Sequence, residues 1–169
     1  MKITSILSHL RDIIILPFTV TLIVPHWIYN KKQDDIPEDI FFKVSGVSLI
    51  ILGVSMLGYT IFLFGKIAKG TLAPWTEKES LVVAGPYRYC RNPMISGVLF
   101  ILSGEALLFH STNILIWAGT FFVFNTLYFI IIEEPYLAEK FGAEYREYKK
   151  NVPRWIPKLT HKDRKTLRT

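Results

Sequence analysis

Four apolar runs, each close to the length of a membrane-crossing helix and each bounded by charged or proline-containing segments, constrain this chain most. They fall at residues 13–29, 44–64, 94–109 and 114–132. Lipid offers no partner to backbone N–H and C=O groups, so such a run folds as a helix that satisfies its own backbone. At 1.5 Å per residue, roughly 20 residues cross a hydrocarbon core about 30 Å thick. The second and fourth runs reach that length, the first barely does and the third is short. The expectation is an all-α integral membrane protein, a single domain over residues 1–169, with about four transmembrane helices. Half of its residues are hydrophobic, which agrees.

The first run is not read as a cleaved signal peptide. No small-residue cleavage motif follows it, and Trp27 and Tyr29 stand at its far end as interfacial anchors, with His26 beside them. Pro17 and Pro25 predict a bend. The second run carries Gly46, Gly53 and Gly58 with Ser45, Ser48 and Ser55, which allows close helix packing; no GxxxG pair marks a dimer face. Only a short turn at residues 110–113 separates the third and fourth runs, so they are expected to form an antiparallel hairpin. Glu105 lies inside the third run. An intramembrane acid is either functional or paired with a neighbour, and its position near the far interface favours the second role.

Beyond the fourth run the chain turns polar at Glu133, Glu134 and Pro135, and Leu137, Phe141, Tyr145 and Tyr148 then recur at helical spacing. That pattern is an amphipathic helix. Residues 152–157, reading VPRWIP, end it, and a basic tail comes next that suits anionic headgroups. With both termini cytoplasmic, 17 of the 20 lysines and arginines lie on the cytoplasmic side, leaving Lys31, Lys32 and Lys43 outside. The bias of cations toward the inner face selects that orientation. The formal charge of +6 is thus explained by a membrane surface rather than by nucleic acid. A single cysteine, Cys90, excludes an intrachain disulfide and a multi-cysteine metal site, and no metal ligand set is expected.

The orientation brings two polar stretches to one face. Residues 85–94, GPYRYCRNPM, hold Arg88, Arg91, Tyr87 and Tyr89 between Pro86 and Pro93; Glu133 and Glu134 lie at the other end of the hairpin. Arginine forks bind carboxylates or phosphates at two points, carboxylates suit hydroxyls or an ammonium, and tyrosine faces attract a cation such as a sulfonium. A ligand such as S-adenosyl-L-methionine uses all three. Ordinary interfacial residues at helix ends have the same composition, so the residues alone leave both readings open.

GPYRYCRNPM, then a hairpin, then EEPYLAEKFGAEYREYKKNVPRWIP, resembles the isoprenylcysteine carboxyl methyltransferase family and its bacterial relatives, and more distantly the phospholipid N-methyltransferases. The resemblance covers residues 81–157. It implies an enzyme of the bacterial cytoplasmic membrane that holds S-adenosyl-L-methionine between the last hairpin and the carboxy-terminal segment. The methyl acceptor it implies is a lipophilic small molecule or lipid entering from the bilayer. The family's R-H-P-x-Y element falls on Arg91, Asn92, Pro93, Met94 and Ile95; Tyr87 is the tyrosine after the glycine, Leu81 and Val82 line the cofactor, and Glu133 and Glu134 are the acidic pair.

Three positions depart from that pattern. Asn92 stands for histidine, Ile95 for tyrosine, and Phe129 for an arginine that eukaryotic members carry toward substrate. Asparagine still donates and accepts hydrogen bonds. The missing arginine removes the natural partner of an acceptor carboxylate. Transfer from a sulfonium is an in-line displacement that demands alignment and exclusion of water. An amine, phenol or thiol acceptor also has a proton to lose, and Glu133 or Glu134 is placed to take it. The competing class is a non-catalytic membrane scaffold or lipid-binding protein on the same helices. A nicotinamide-dependent reductase has no glycine-rich phosphate loop to support it.

Overall fold

A computed structural model describes residues 17–29, 38–67 and 81–157, and every regular element among them is helical. In chain order these are α1 (Thr19–Ile28), α2 (Ile40–Ile67), a 3₁₀ turn (Gly85–Arg88), α3 (Pro93–Leu108), α4 (Thr112–Tyr128) and α5 (Glu134–Asn151). The amino-terminal residues 1–16, the connections at 30–37 and 68–80 with Trp75, and the basic tail from residue 158 lie outside the described residues.

The described residues include two widened π turns, at Thr19–Ile23 and Phe129–Glu133, and each stands just ahead of a proline. Pro25 and Pro135 lack the N–H that would bond the carbonyl four residues back, and their rings crowd it. The ladder relaxes to a five-residue spacing instead: Val24 donates its N–H to the Thr19 carbonyl, and Glu134 to that of Phe129. The distortion expected in the first run is therefore this π turn before Pro25.

Helices α2 and α3 approach closely at facing glycines. Gly46 faces Gly104 and Gly53 faces Gly97, so the two helices run antiparallel. A Cβ on Gly53 would stand 2.6 Å from the Gly97 carbonyl oxygen, and one on Gly104 2.6 Å from that of Gly46. In both helices the glycines are seven residues apart, two turns along one face. Gly46 and Gly53 of the second run thus serve the close packing expected there, with α3 of the same chain as partner, whereas a Cβ at Gly58 would meet nothing within 4 Å.

At its far end α3 closes with Ser111 N–H on the Ala106 carbonyl and His110 N–H on that of Leu107, at 2.9 and 3.4 Å. This is a Schellman cap, and His110, at φ 52°, takes the left-handed position where glycine is usual. Beyond it, Ala118 of α4 packs on Val98 and Leu102 of α3. α1 lies alongside, with Tyr29 5.6 Å from the Phe109 ring and the Trp117 indole N–H donated to the Val20 carbonyl at 3.1 Å.

Among the described residues, α2 over Ile40–Leu63 and the continuous helix beginning at Thr112 are long and apolar enough to cross a membrane; α1 and α3 are shorter apolar helices. Ile51, Val54 and Phe62 of α2 and Val123, Phe124 and Ile131 beyond Thr112 are more than half exposed. A face of that kind suits a bilayer. The expected amphipathic helix is present as α5, but it is broken at Gly142, where φ 53° and ψ −122° mirror extended backbone. Its apolar stripe does what its spacing predicts: Tyr145 and Tyr148 are buried with Val152, and Leu137, Phe141, Leu81 and Val83 pack on them.

Candidate active site

The stretch from Gly85 is shaped by local rules. Gly85 has φ 52°, Pro86 opens the 3₁₀ turn, and the N–H groups of Tyr89 and Cys90 both bond the Pro86 carbonyl. Tyr87 turns inward and is buried, and its carbonyl accepts the Tyr148 hydroxyl at 2.7 Å. Burial raises the pKa of both phenols and of the Cys90 thiol. All three are neutral near pH 7.

A strap formed by residues 152–157 lies across the end of this stretch. Arg91 donates its backbone N–H to the Pro153 carbonyl at 2.9 Å, and Asn92 donates to that of Arg154 at 3.3 Å. Asn92 then caps α3, Pro93 is buried as its first residue, and Met94 and Ile95 are half-buried in its first turn.

The polar centre is Glu134. Its Oε1 accepts Arg91 at 2.9 Å and the Nε and terminal nitrogen of Arg154, each at 2.7 Å; its Oε2 accepts Lys149 at 2.7 Å. Burial acts to raise this carboxyl's pKa, but hydrogen bonds from Arg154 and Lys149 and the charges of Arg91 and Arg154 outweigh it and hold the group below the usual carboxylate range. Three cations therefore share one buried carboxylate. Arg91 also donates to the Tyr145 hydroxyl at 3.4 Å, while its Nε is buried without a partner among the described residues. Burial likewise raises the Tyr145 pKa.

Glu133 is buried too, and its Oε2 accepts the Tyr128 hydroxyl at 3.4 Å. The π turn matters here, because one inserted residue rotates the downstream side chains by about 100° around a helix of 3.6 residues per turn. It delivers the two consecutive acids to the bundle end where Arg91 lies. Beside them Trp155 packs on Phe122 and Phe129, with ring centroids 5.1 and 6.0 Å apart, and its indole N–H is buried without a partner among the described residues.

Of the residues expected at the site, Arg91 and Glu134 touch, and Asn92 is joined to the strap through its backbone. Leu81 packs on the Tyr145–Tyr148–Val152 cluster, and Val82 is buried. Arg88 is exposed, so the expected arginine pair is not presented together. Arg154, Lys149, Tyr145 and Trp155 carry much of the arrangement without having been singled out. Helical spacing marked Tyr145 as a packing residue, whereas nothing in the spacing of Lys149 and Arg154 pairs them with an acid 15 and 20 residues earlier.

Residues 41–144 match the family model described as phospholipid methyltransferase. The chain is 28% identical over 117 residues to the cobalt-zinc-cadmium resistance protein CzcN of Cupriavidus metallidurans, covering 68% of this chain and 52% of that protein. It is also 28% identical over 118 residues to the protein-S-isoprenylcysteine O-methyltransferase of Schizosaccharomyces pombe, covering 69% of this chain and 50% of that enzyme. It thus spans about half the length of the curated relatives it matches. No solved structure matches it significantly. The matched stretch runs from the first turn of α2 through both acids into α5, more than half of the chain, and the chain belongs to the phospholipid methyltransferase family.

Proposed function

We propose that this protein is a membrane methyltransferase that takes S-adenosyl-L-methionine at the Arg91–Glu134 end of its helices and methylates a lipophilic acceptor. One observation carries the reading: Arg91, Lys149 and Arg154 converge on the single carboxylate of Glu134, with the Arg91 Nε buried and unpartnered among the described residues. Cationic charge is left over there for an anionic group. The residues fit an amino-acid-bearing nucleoside. Arg91, just ahead of α3, would hold its carboxylate, Glu133 its ammonium or hydroxyls, and Leu81, Val82, Tyr87, Asn92, Pro93, Met94 and Ile95 would form the surrounding wall. When bound, S-adenosyl-L-methionine supplies an electrophilic methyl on a sulfonium.

The chain's own residues divide the remaining work. Glu134 has both oxygens engaged and its pKa held down, which makes it a poor proton acceptor; it holds Arg91 and Arg154 in place. Glu133, beside the Tyr128 hydroxyl, takes the proton that an amine, thiol or phenol acceptor gives up. Trp155, Phe122 and Phe129 keep water out. Four membrane passes, with α3 and α4 as an antiparallel hairpin and both termini cytoplasmic, complete the reading.

Calorimetry of the detergent-solubilised protein with S-adenosyl-L-methionine and its demethylated product tests it. Micromolar binding is expected, weakened about 10- to 100-fold by Arg91→Ala, the loss typical of a hydrogen bond to a charged group. Glu133→Gln is expected to lower turnover on an accepted acceptor by at least about 100-fold, the scale of a general base. Unchanged affinity in Arg91→Ala refutes the site assignment, and no binding in several lipids favours the scaffold reading.

A further inference from the structure

The turn between α3 and α4, at the end of the bundle away from Arg91 and Glu134, carries polar groups that the fold leaves unused. Glu105, His110 and Ser111 are 6%, 9% and 1% exposed. Among the described residues, the Glu105 Oε2, both His110 ring nitrogens and the Ser111 Oγ are buried without a hydrogen-bond partner. A serine at a helix N-cap normally accepts a backbone N–H of the first turn, yet Ser111 makes no such bond at the start of α4. His110 holds φ 52°, where glycine or asparagine would sit with less strain. Lys43, the described lysine at this end, is taken by Glu38. Glu105 and Ser111 share one seam. Glu105 follows Leu102 by three residues and Val98 by seven, which sets it on the α3 face packed against Ala118 of α4. Ser111 precedes Ala118 by seven, on the α4 face that packs back, and its N–H is held 2.9 Å from the carbonyl of Ala106, the residue after Glu105. His110 joins the two in the chain.

We propose that this turn binds a single divalent transition-metal ion of the zinc type, ligated by the Glu105 carboxylate and a His110 ring nitrogen, with the Ser111 Oγ hydrogen-bonded to a water on the ion. Carboxylate oxygen and imidazole nitrogen are both ligands that such an ion takes. The ion supplies the positive charge that a buried carboxylate requires and a partner for the lone pair of a neutral imidazole. Each of the four polar atoms is sealed from bulk solvent, which favours an ion with its bound water over a lipid headgroup. No third His, Cys, Asp or Glu completes a ligand set among the described residues, so water fills the remaining positions and the ion is exchangeable. Spacing in the sequence does not display the pair, because Glu105 belongs to α3 and His110 to the turn that ends it. The 16 residues of α3, about 24 Å at 1.5 Å per residue, separate this site from Arg91, and it does not rest on the methyltransferase reading.

The test uses the full chain, stripped of metal with a chelator in detergent, titrated with Zn²⁺ by calorimetry and melted with and without it. The wild type is expected to bind one Zn²⁺ per chain with micromolar affinity and to melt higher when loaded. Glu105→Gln and His110→Gly should each weaken binding by more than about 100-fold, beyond the roughly 10- to 100-fold loss seen when a residue that only orients a ligand is removed. Ser111→Ala should fall within that smaller range. His110→Gly also separates a ligand from a structural histidine: glycine suits a positive φ, so the metal-free variant should melt no lower than the wild type and lose the Zn²⁺-dependent rise. His26→Ala removes the exposed histidine at the same end and should leave affinity unchanged. Absence of stoichiometric binding to the wild type means that water alone meets these groups, and overturns the proposal. Affinity retained in Glu105→Gln or in His110→Gly, or lost in His26→Ala, assigns the ion to another place on the surface and overturns it equally.

Discussion

Glu134 is outnumbered by three cations, and that imbalance governs how the site responds to substitution and to pH. Removing it by Glu134→Ala leaves Arg91, Lys149 and Arg154 facing one another with Arg91 buried, an arrangement that costs about 3–5 kcal/mol when a buried pair loses one member. The carboxyl titrates below its ordinary value near 4.5 in the folded protein, so the unfolded chain binds more protons at this position. Its stabilisation is complete above pH 4.5 and is lost as pH falls through the depressed folded value. Denaturant unfolding between pH 3 and 6 should show that acid loss in the wild type and a flatter profile in Glu134→Gln; identical profiles would mean the ion cluster contributes nothing to stability. At this scale the sequence displayed Arg91 and the acids because they sit in compact motifs. It hid Lys149 and Arg154, whose partner is chosen by a kink and a strap rather than by helical spacing. Gly142 is one such hidden determinant: its positive φ breaks α5 between Phe141 and Tyr145, and in sequence it reads only as an ordinary glycine between two periodic apolar residues.

Helices were the most legible level. A long apolar run favours the structure that satisfies its own backbone, and among the described residues the four runs appear as α1 to α4, of which α2 and the helix from Thr112 are long enough to cross a membrane. Their pairing was not legible in the same way. The glycines of α2 announced a close approach, but a partner helix with glycines at the same seven-residue spacing becomes evident only when Gly46 is seen against Gly104 and Gly53 against Gly97. This difference is testable within α2 itself. A Cβ at Gly53 would be 2.6 Å from a backbone oxygen and 2.8 Å from the Ile101 nitrogen, whereas one at Gly58 meets nothing within 4 Å. Gly53→Ala is therefore expected to lower the melting temperature in detergent, with a cost of about 1–3 kcal/mol for overpacking a close contact. Gly58→Ala should be neutral or mildly stabilising, since alanine is favoured over glycine in a helix by up to about 1 kcal/mol. Equal effects at the two positions would show that the α2–α3 contact does not hold the fold together.

For the molecule as a whole, the contacts fix which helix ends lie together. Tyr29 against Phe109 and Gly46 against Gly104 gather the end of α1, the start of α2 and the end of α3 at one end; Arg91 against Glu134 gathers the start of α3 and the end of the α4 helix at the other. The proposed orientation of that bundle rests on charge. Of the described cations, Lys43 stands at the first end, while Lys66, Arg88, Arg91, Arg154 and the α5 cations Lys140, Arg146, Lys149 and Lys150 belong to the second. Three cations lie outside and 17 inside if the second end faces the cytoplasm. The prediction uses single cysteines in a Cys90→Ser background and a maleimide that cannot cross membranes. In intact cells Asp35→Cys should label, and Lys162→Cys should label only after permeabilisation. The reverse pattern would turn the Arg91–Glu134 cluster outward and remove it from cytoplasmic S-adenosyl-L-methionine, so the methyltransferase reading would fall with the topology. Labelling of both positions in intact cells would break the odd number of passes, α2, α3 and α4, that the proposed topology puts between them.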